Sequence, residues 1–199
     1  MDATIITTKS ELAKCVRDLY ALGLTSPVSG NHSFRAGKRG MWITPSETPR
    51  YLLRASDLVK MDLPTGRVFG KKKPSREHNM HRMIYNARND VNAVVHTHSP
   101  YTIAVAISKA GFVHVIEEAK IVVGDPAIIE NRSSGSVELA EAVSAEFERG
   151  ASAVVIKNHG VVAAGKNIHH ARAIVESLEE WAKILTVART LGGPSDVLF

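Results

Sequence analysis

Two short apolar runs that lie close together in the chain constrain its fold most strongly. They cover residues 153–156 and 161–163, and the four residues between them are Lys-Asn-His-Gly. Runs rich in valine around a polar segment that ends in glycine predict two strands joined by a hairpin or sharp bend, with Gly160 at its tip. A sheet must bury at least one face, so other segments have to supply a covering layer.

The remaining segments alternate between helical and extended patterns. A first helix is predicted to begin at Thr8, which has capping-box spacing to Glu11, and to end near Gly23. The residues 29–33 predict a polar turn before a strand. Further helices are predicted over 75–88, 101–108, 136–149 and 168–190, and further strands over 41–44, 58–61, 67–69, 92–98, 113–116 and 121–123. Helices mixed with strands predict an α/β or α+β domain, a sheet with helices on both faces.

Length and composition predict one domain over residues 1–199. The chain has 199 residues and a single cysteine, Cys15, so it cannot hold a disulfide framework, and a reducing compartment is expected. The first residues lack the basic and apolar regions of a secretory signal. No apolar run approaches the roughly 18 residues that a membrane span needs. We therefore expect a cytoplasmic protein without a membrane partner.

The net charge of +5 permits either nucleic acid or a small anion as a partner. The basic residues are scattered, and only residues 71–73 form a run, which is typical of a solvated loop. Aromatic and basic residues do not interleave as in nucleic-acid-binding surfaces. The sequence therefore favours a small anionic ligand and no nucleic acid.

Two histidines at the end of a predicted strand suggest a metal site. Successive side chains of a strand alternate between faces, so His96 and His98 project from the same face, with Cα atoms about 6–7 Å apart. Both rings can then reach one ion at roughly 2.0–2.1 Å. This pair alone is equally compatible with ordinary buried histidines.

His159 favours the metal interpretation. It follows a second apolar strand and precedes Gly160, where a turn glycine lets the backbone come close to an ion. Three histidines with one open position are typical of catalytic zinc. The other histidines have weaker claims: His169 and His170 are predicted to lie on a solvated helix face, and His32, His78, His81 and His114 have no assigned role.

Three segments, taken in order, resemble the class II aldolase/adducin family, and within it the fuculose-phosphate aldolase-like enzymes. Residues 29–35, Ser-Gly-Asn-His-Ser-Phe-Arg, resemble the phosphate-binding loop of that family. Residues 74–77, Pro-Ser-Arg-Glu, followed by a helix and by Val-His-Thr-His at 95–98, resemble its catalytic and metal-binding segment. Lys-Asn-His-Gly at 157–160 resembles the turn that carries its third metal ligand.

The resemblance implies an α/β/α sandwich with a mixed, largely antiparallel sheet. It also implies a homotetramer with active sites at subunit interfaces. Zn²⁺, or another divalent ion such as Mn²⁺ or Co²⁺, would be held by His96, His98 and His159. Glu77 would act as the catalytic acid/base; the related 4-epimerases carry aspartate there, so glutamate favours an aldolase or dehydratase.

The chemistry implied is the reversible cleavage of a ketose 1-phosphate to dihydroxyacetone phosphate and an aldehyde. The metal would act as a Lewis acid on the carbonyl and stabilise the enediolate, and Glu77 would protonate the enediolate carbon. The phosphate would bind to backbone N–H groups and hydroxyls around Gly30, Asn31, Ser46 and Ser75. Ser75 is expected at a helix N-terminus, where the dipole favours an anion.

The chain departs from the family pattern at several positions. Glu47 follows Ser46 where fuculose-phosphate aldolases typically have glycine, and a carboxylate there repels phosphate unless it points away. Arg76 replaces a serine and could bind phosphate through its guanidinium. Glu117 and Glu118 stand where some relatives carry a tyrosine, which makes Glu117 a candidate second acid/base. We also expect no active-site tyrosine of the kind that a longer tail supplies in some relatives, since the sequence runs to Phe199.

Several alternatives remain open from the sequence. A methylthioribulose-phosphate dehydratase, a 4-epimerase or a sugar-acid phosphate decarboxylase would use the same three histidines. A Schiff-base aldolase would instead use a buried lysine such as Lys157 or Lys120. A non-catalytic scaffold domain like that of adducin predicts lost ligands, whereas all three histidines and Glu77 are present.

Overall fold

The structure is a computed structural model and describes residues 7–198. Within these residues the chain forms one mixed sheet. Its strand order is β4-β3-β2-β1-β5-β8-β7-β6, and neighbours are antiparallel except for the parallel pair β6–β7. The strands are β1 Asn31–Ala36, β2 Gly40–Ile43, β3 Val59–Asp62, β4 Val68–Phe69, β5 Ala93–Thr97, β6 Ala127–Ile129, β7 Ala153–Ile156 and β8 Gly160–Gly165. The helices are α1 Lys9–Ala21, α2 His78–Ala87, α3 Pro100–Ile107, α4 Glu117–Val122, α5 Val137–Glu148 and α6 Ile168–Thr190.

Helices cover both faces of the sheet, so the predicted α/β/α architecture is confirmed. Alternate residues of β5 enter different cores: Val95 packs with residues of α1, α3, α4 and α6, whereas Val94 packs with residues of α2 and α5. The alternation of side chains along a strand thus divides one apolar run between two layers. His96 shares the face of Val94 and therefore points to the side of α2 and α5.

Local signals explain the first and last helices. Thr8 and Glu11 form the predicted capping box, in which each side chain binds the backbone N–H of the other. In α6 the predicted stripe is buried and faces the sheet; it consists of Ala171, Ile174, Leu178, Trp181 and Leu185. This helix contacts β8 and β5 on the face of the sheet opposite α2 and α5. It therefore packs against the two strands beside which the three histidines meet.

Two predicted strands are absent from the structure, and two observed strands differ from the predictions. Residues 113–116 are irregular, and 121–122 of the strand predicted over 121–123 belong to α4, because the apolar residues there pack against α6 instead of pairing in the sheet. β1 begins at Asn31, within the segment predicted as a turn, because its polar side chains find partners on α2. The short β6 pairs in parallel with β7 and has too few residues to show a periodic pattern.

In the described residues, none of the helices combines the length and apolarity that crossing a bilayer requires.

Candidate metal centre and adjoining cavity

Two antiparallel strands bring the three predicted ligands together. His96 lies in β5 opposite Val162 of β8, and His98 directly follows β5. His159 is the last residue of the turn between β7 and β8. One ring nitrogen of each histidine lies within 4.8 Å of those of the other two, so the cluster could hold a metal ion.

Gly160 permits this close approach. A Cβ atom at this position would lie 2.2 Å from the carbonyl oxygen of Thr97 and 3.0 Å from Cε1 of His96. Gly160 is the first residue of β8, whereas the tip of the turn is Asn158, with φ of 57°. Asparagine tolerates this left-handed conformation better than most residues. The glycine is therefore needed to make room for the neighbouring strand and rings.

The hydrogen bonds of His96 fit a metal ligand. Its Nδ1 lies 2.9 Å from the carbonyl oxygen of Val161, which can only accept, so Nδ1 carries the proton. Nε2 then carries a buried lone pair, and it has no hydrogen-bond partner. Metal-bound histidines commonly donate their second ring N–H to a carbonyl in this way. The donor set therefore fits a divalent ion.

Burial keeps the other two rings available as ligands. It lowers the pKa of His98 to about 3 and also lowers the pKa of His159, and the neighbouring rings act in the same direction. Both imidazoles are therefore neutral at physiological pH, which is the form that binds metal.

Glu77 lies beside the histidine cluster and, together with His98 and His159, lines the adjoining cavity. It is the N-cap residue of α2, and its two carboxylate oxygens lie 3.3 Å from Nε2 of His96 and 3.3 Å from Nε2 of His159. Asn31 donates to Oε2 at 2.7 Å, and Ser134 donates to Oε1 at 2.9 Å. Burial raises the pKa of Glu77, but contacts to the carboxylate, including the hydrogen bond from Asn31, outweigh it, so the pKa lies below its ordinary value. The side chain is a carboxylate at neutral pH.

A cavity of about 580 Å³ opens beside Glu77. It is lined by all five residues predicted to bind phosphate: Gly30, Asn31, Ser46, Ser75 and Arg76. Their role in phosphate binding stays a prediction. Glu47, Arg50 and Lys73 also line this cavity.

Two details of this wall differ from the sequence predictions. α2 begins at His78 with Glu77 as its N-cap, so Ser75 lies before the helix; its Oγ instead accepts a hydrogen bond from the N–H of Glu77. Glu47 has φ of 63°, so the backbone is left-handed where the family typically has glycine. The carboxylate of Glu47 is added to this wall at the cost of an unfavourable backbone conformation.

Arg50 joins two segments beside the cavity, residues 28–30 and 45–48, and it was not predicted from the sequence. Its side chain is buried, with 3% of the residue exposed. The guanidinium group donates to five carbonyl oxygens, those of Val28, Ser29, Gly30, Pro45 and Thr48. Burial lowers its pKa to about 10, so it stays charged at neutral pH. No periodicity or motif distinguishes this arginine from an exposed one.

Other candidates lie away from the centre. Glu117 is exposed at the start of α4, which packs on α6 across the sheet from Glu77, and Lys120 lies on the same helix. Lys157 forms an ion pair with Glu130 at 2.5 Å, so it is not the isolated buried amine that Schiff-base chemistry requires. His169 and His170 are exposed, as predicted.

Two further residues of the site were not predicted. Ser134 lies in the loop before α5, where a serine carries no recognisable signal. His81 lies four residues after Glu77, about one helical turn, and this spacing was an available signal. It is fully buried and lies next to Asn31, with 2.6 Å between His81 Nε2 and Asn31 Oδ1.

Known proteins share both the sequence pattern and the fold. The family profile of the Class II Aldolase and Adducin N-terminal domain matches residues 10–186. The chain belongs to this family. The class II aldolase fold accounts for the mixed sheet, and the prediction of an enzyme, a carbon–carbon lyase of the aldolase type, is confirmed. The scaffold interpretation is correspondingly disfavoured.

Individual class II aldolases cover nearly the whole chain. An L-fuculose phosphate aldolase of Methanocaldococcus jannaschii is 35% identical over 176 residues, which are 88% of this chain and 94% of the relative. A 5-methylthioribulose-1-phosphate/5-deoxyribulose-1-phosphate aldolase of Rhodospirillum rubrum is 33% identical, with 92% and 82% covered. The crystal structure of L-fuculose-1-phosphate aldolase from Thermus thermophilus superimposes with a TM-score of 0.83 at 26% identity, with 94% and 96% covered.

Proposed function

We propose that the chain is a zinc-dependent aldolase that reversibly cleaves a ketose 1-phosphate to dihydroxyacetone phosphate and an aldehyde. The observation that carries the proposal is the position of the Glu77 carboxylate, which borders both the three-histidine cluster and a cavity lined by polar and basic groups. In this proposal Glu77 is the acid/base residue, the histidine cluster is the cation site and the cavity is the anion site.

His96, His98 and His159 would hold the ion. When bound, a divalent ion supplies Lewis-acid polarisation of the substrate carbonyl and its neighbouring hydroxyl. Zinc suits a set of three imidazoles with an open position, although Mn²⁺ and Co²⁺ are alternatives.

Glu77 would move the proton at carbon. In cleavage, the Glu77 carboxylate takes up the proton that the C4 hydroxyl loses as the bond between C3 and C4 breaks and the aldehyde forms, and it then gives this proton to C3. In condensation Glu77 removes a proton from C3. Its carboxylate form at neutral pH suits the role of base in that direction.

The cavity would hold the phosphate. Ser75 and the backbone of the loop around Gly30 offer hydrogen-bond donors, and Arg76 and Lys73 add positive charge from the same wall. A second, open cavity of about 490 Å³ lies beside His159 and is lined by the loop 131–134 and Asn158. We assign the aldehyde portion of the substrate to this polar side.

Assembly and location are part of the same proposal. We propose a cytoplasmic homotetramer with active sites at subunit interfaces. Glu117 lies across the sheet from its own Glu77, so it could act as a second acid/base only in the site of a neighbouring subunit. Ile121, one helical turn further along α4, is 75% exposed, as expected for a helix that packs against another subunit.

The test is the release of dihydroxyacetone phosphate from three substrates suggested by the relatives: L-fuculose 1-phosphate, 5-deoxyribulose 1-phosphate and 5-methylthioribulose 1-phosphate. We expect release that is lost after chelation and restored by zinc. Glu77→Gln should lower kcat at least 100-fold, whereas Glu138→Gln, an exposed glutamate on α5, should not change it. No release by the zinc-loaded protein would refute the aldolase and favour dehydration, epimerisation or decarboxylation at this site.

A further inference from the structure

A line of buried hydrogen bonds runs from the core to Glu77. Tyr85 Oη lies 2.8 Å from Ser33 Oγ, and Ser33 Oγ lies 2.7 Å from His81 Nδ1. His81 Nε2 lies 2.6 Å from Asn31 Oδ1, and Asn31 Nδ2 lies 2.7 Å from Glu77 Oε2. All five residues are at most 5% exposed. The line joins α2 to β1 and belongs to neither the ligand cluster nor the cavity wall, except at Asn31 and Glu77.

The chemistry of the partners fixes the direction of each bond. Asn31 presents its NH₂ group to Oε2 of Glu77 and its Oδ1 to Nε2 of His81, and an amide oxygen can only accept. His81 must therefore carry its proton on Nε2, which leaves Nδ1 as an acceptor for the hydroxyl of Ser33. Tyr85 then donates to Ser33, and every member of the line is satisfied in one arrangement.

The reverse arrangement is unfavourable. If the Asn31 amide were flipped, its oxygen would face the Glu77 carboxylate, and two acceptors would meet without a proton between them in a buried site. A histidine proton on Nε2 prevents this, because it requires an acceptor on the side of Asn31. The tautomer of His81 thus sets the orientation of Asn31.

The two oxygens of Glu77 are held very differently. Oε2 is held by Asn31, which is 5% exposed and tied to the core, whereas Oε1 is held by Ser134, an exposed residue of a loop. A carboxylate anchored through one oxygen keeps its position while the other oxygen exchanges partners. Oε1 is the oxygen that is left to exchange a proton with the substrate.

We propose that His81 is a positioning residue for proton transfer, which acts through Asn31 to fix the Glu77 carboxylate by its Oε2. This inference rests on the proposed aldolase function, in which Glu77 moves a proton at C3. His81 itself contacts neither the substrate nor the ion. Its loss should therefore slow proton transfer without weakening the binding of metal or phosphate.

The first test does not depend on activity. Proton-detected correlation of the ring nitrogens, with ¹⁵N-labelled histidine and the His81→Gln protein for assignment, reports which nitrogen carries the proton. We expect a neutral ring protonated at Nε2 in the metal-free and zinc-loaded protein. A ring protonated at Nδ1 overturns the proposal.

The second test compares variants of the line in the zinc-loaded protein. Glutamine can donate to Asn31 and accept from Ser33, whereas leucine can do neither. We expect His81→Leu to slow the exchange of the C3 hydrogen of dihydroxyacetone phosphate with D₂O at least tenfold, with KM and zinc affinity within about twofold of wild type. His81→Gln should recover most of the rate.

Controls separate this role from a general loss of packing. Tyr85→Phe shortens the line at its far end and should change the exchange rate less than threefold. Exchange at the wild-type rate by a folded His81→Leu protein overturns the proposal, as does a His81→Gln protein as slow as His81→Leu. If His81→Leu does not fold, the glutamine variant and the tautomer decide. If the wild type exchanges no hydrogen, the aldolase proposal fails, and the tautomer alone upholds or overturns the hydrogen-bonded line.

Discussion

Replacing Gly160 by alanine tests whether the close approach of β8 to β5 builds the metal centre. The new Cβ would lie 2.2 Å from the carbonyl oxygen of Thr97, about 1.2 Å inside the 3.4 Å at which ordinary contact begins. The clash involves backbone and cannot be relieved by a side-chain rotation. Overpacking of this kind costs about 1–3 kcal/mol, and we expect a loss of about 3 kcal/mol in the free energy of unfolding.

The same substitution should weaken metal binding. The Cβ would also lie 3.0 Å from Cε1 of His96 and 3.2 Å from Cδ2 of His98, so both rings must move by a few tenths of an ångström. Disturbing the groups that orient metal ligands typically costs about 10–100-fold in affinity. We expect a loss of that size for zinc, measured by competition with a chromogenic chelator, alongside urea unfolding of the metal-free protein.

Gly165→Ala provides a matched control. Gly165 ends the same strand opposite Ala93, away from the three proposed metal ligands, and a Cβ there would lie 2.6 Å from the backbone nitrogen of Ala171 and 2.9 Å from Nδ1 of His170. This variant should lose stability but keep its zinc affinity. A folded Gly160→Ala protein that binds zinc as tightly as wild type would refute the reasoning.

Three further predictions concern the cavity and the buried histidine. Glu47→Gly should raise the free energy of unfolding by up to about 1 kcal/mol, because a left-handed non-glycine residue costs roughly 1–2 kcal/mol and the greater chain entropy of glycine in the unfolded state offsets part of this. Glu47→Gln should tighten the binding of inorganic phosphate without raising stability. A Glu47→Gly protein less stable than wild type would contradict the strain argument. Arg50→Lys leaves at least two of five buried carbonyls unpaired and should cost about 2–5 kcal/mol in urea unfolding; a change below about 0.5 kcal/mol would contradict it. Burial lowers the pKa of His81 to about 3, so below about pH 6.5 the unfolded chain takes up a proton that the folded chain does not, and the free energy of unfolding decreases as the pH is lowered. In metal-free protein between about pH 5.5 and 4, this decrease should be smaller in His81→Gln by about 1.4 kcal/mol per pH unit. Equal slopes in the two proteins would contradict the shift.

The sequence predicted the parts of the site that depend on local spacing. His96 and His98 share a face because of strand periodicity, and His159 lies at a turn that its neighbours specify. The architecture followed from periodicity together with the family resemblance. Residues 113–116 were wrongly predicted as a strand because short apolar runs fit a strand or a packed irregular segment equally well.

The remaining parts depend on tertiary contacts that leave no periodic trace. Arg50 donates its hydrogen bonds to backbone carbonyl groups. Because every residue has such a group, no residue type in the sequence indicates that Arg50 is buried. Ser134 reaches Glu77 across 57 residues of chain. The left-handed conformation of Glu47 is visible in the sequence only as a departure from the family glycine.

The strand order has a consequence for how the protein acquires its metal. His96 and His159 are 63 residues apart, and they meet only after β5 has paired with β8. Such long-range pairing forms late and slowly, since the entropy of loop closure must be overcome first. The ion should therefore find its three ligands only in a chain that is already nearly folded. Zinc would slow unfolding and leave the rate of folding almost unchanged. The metal would therefore stabilise the folded state without assisting the folding reaction.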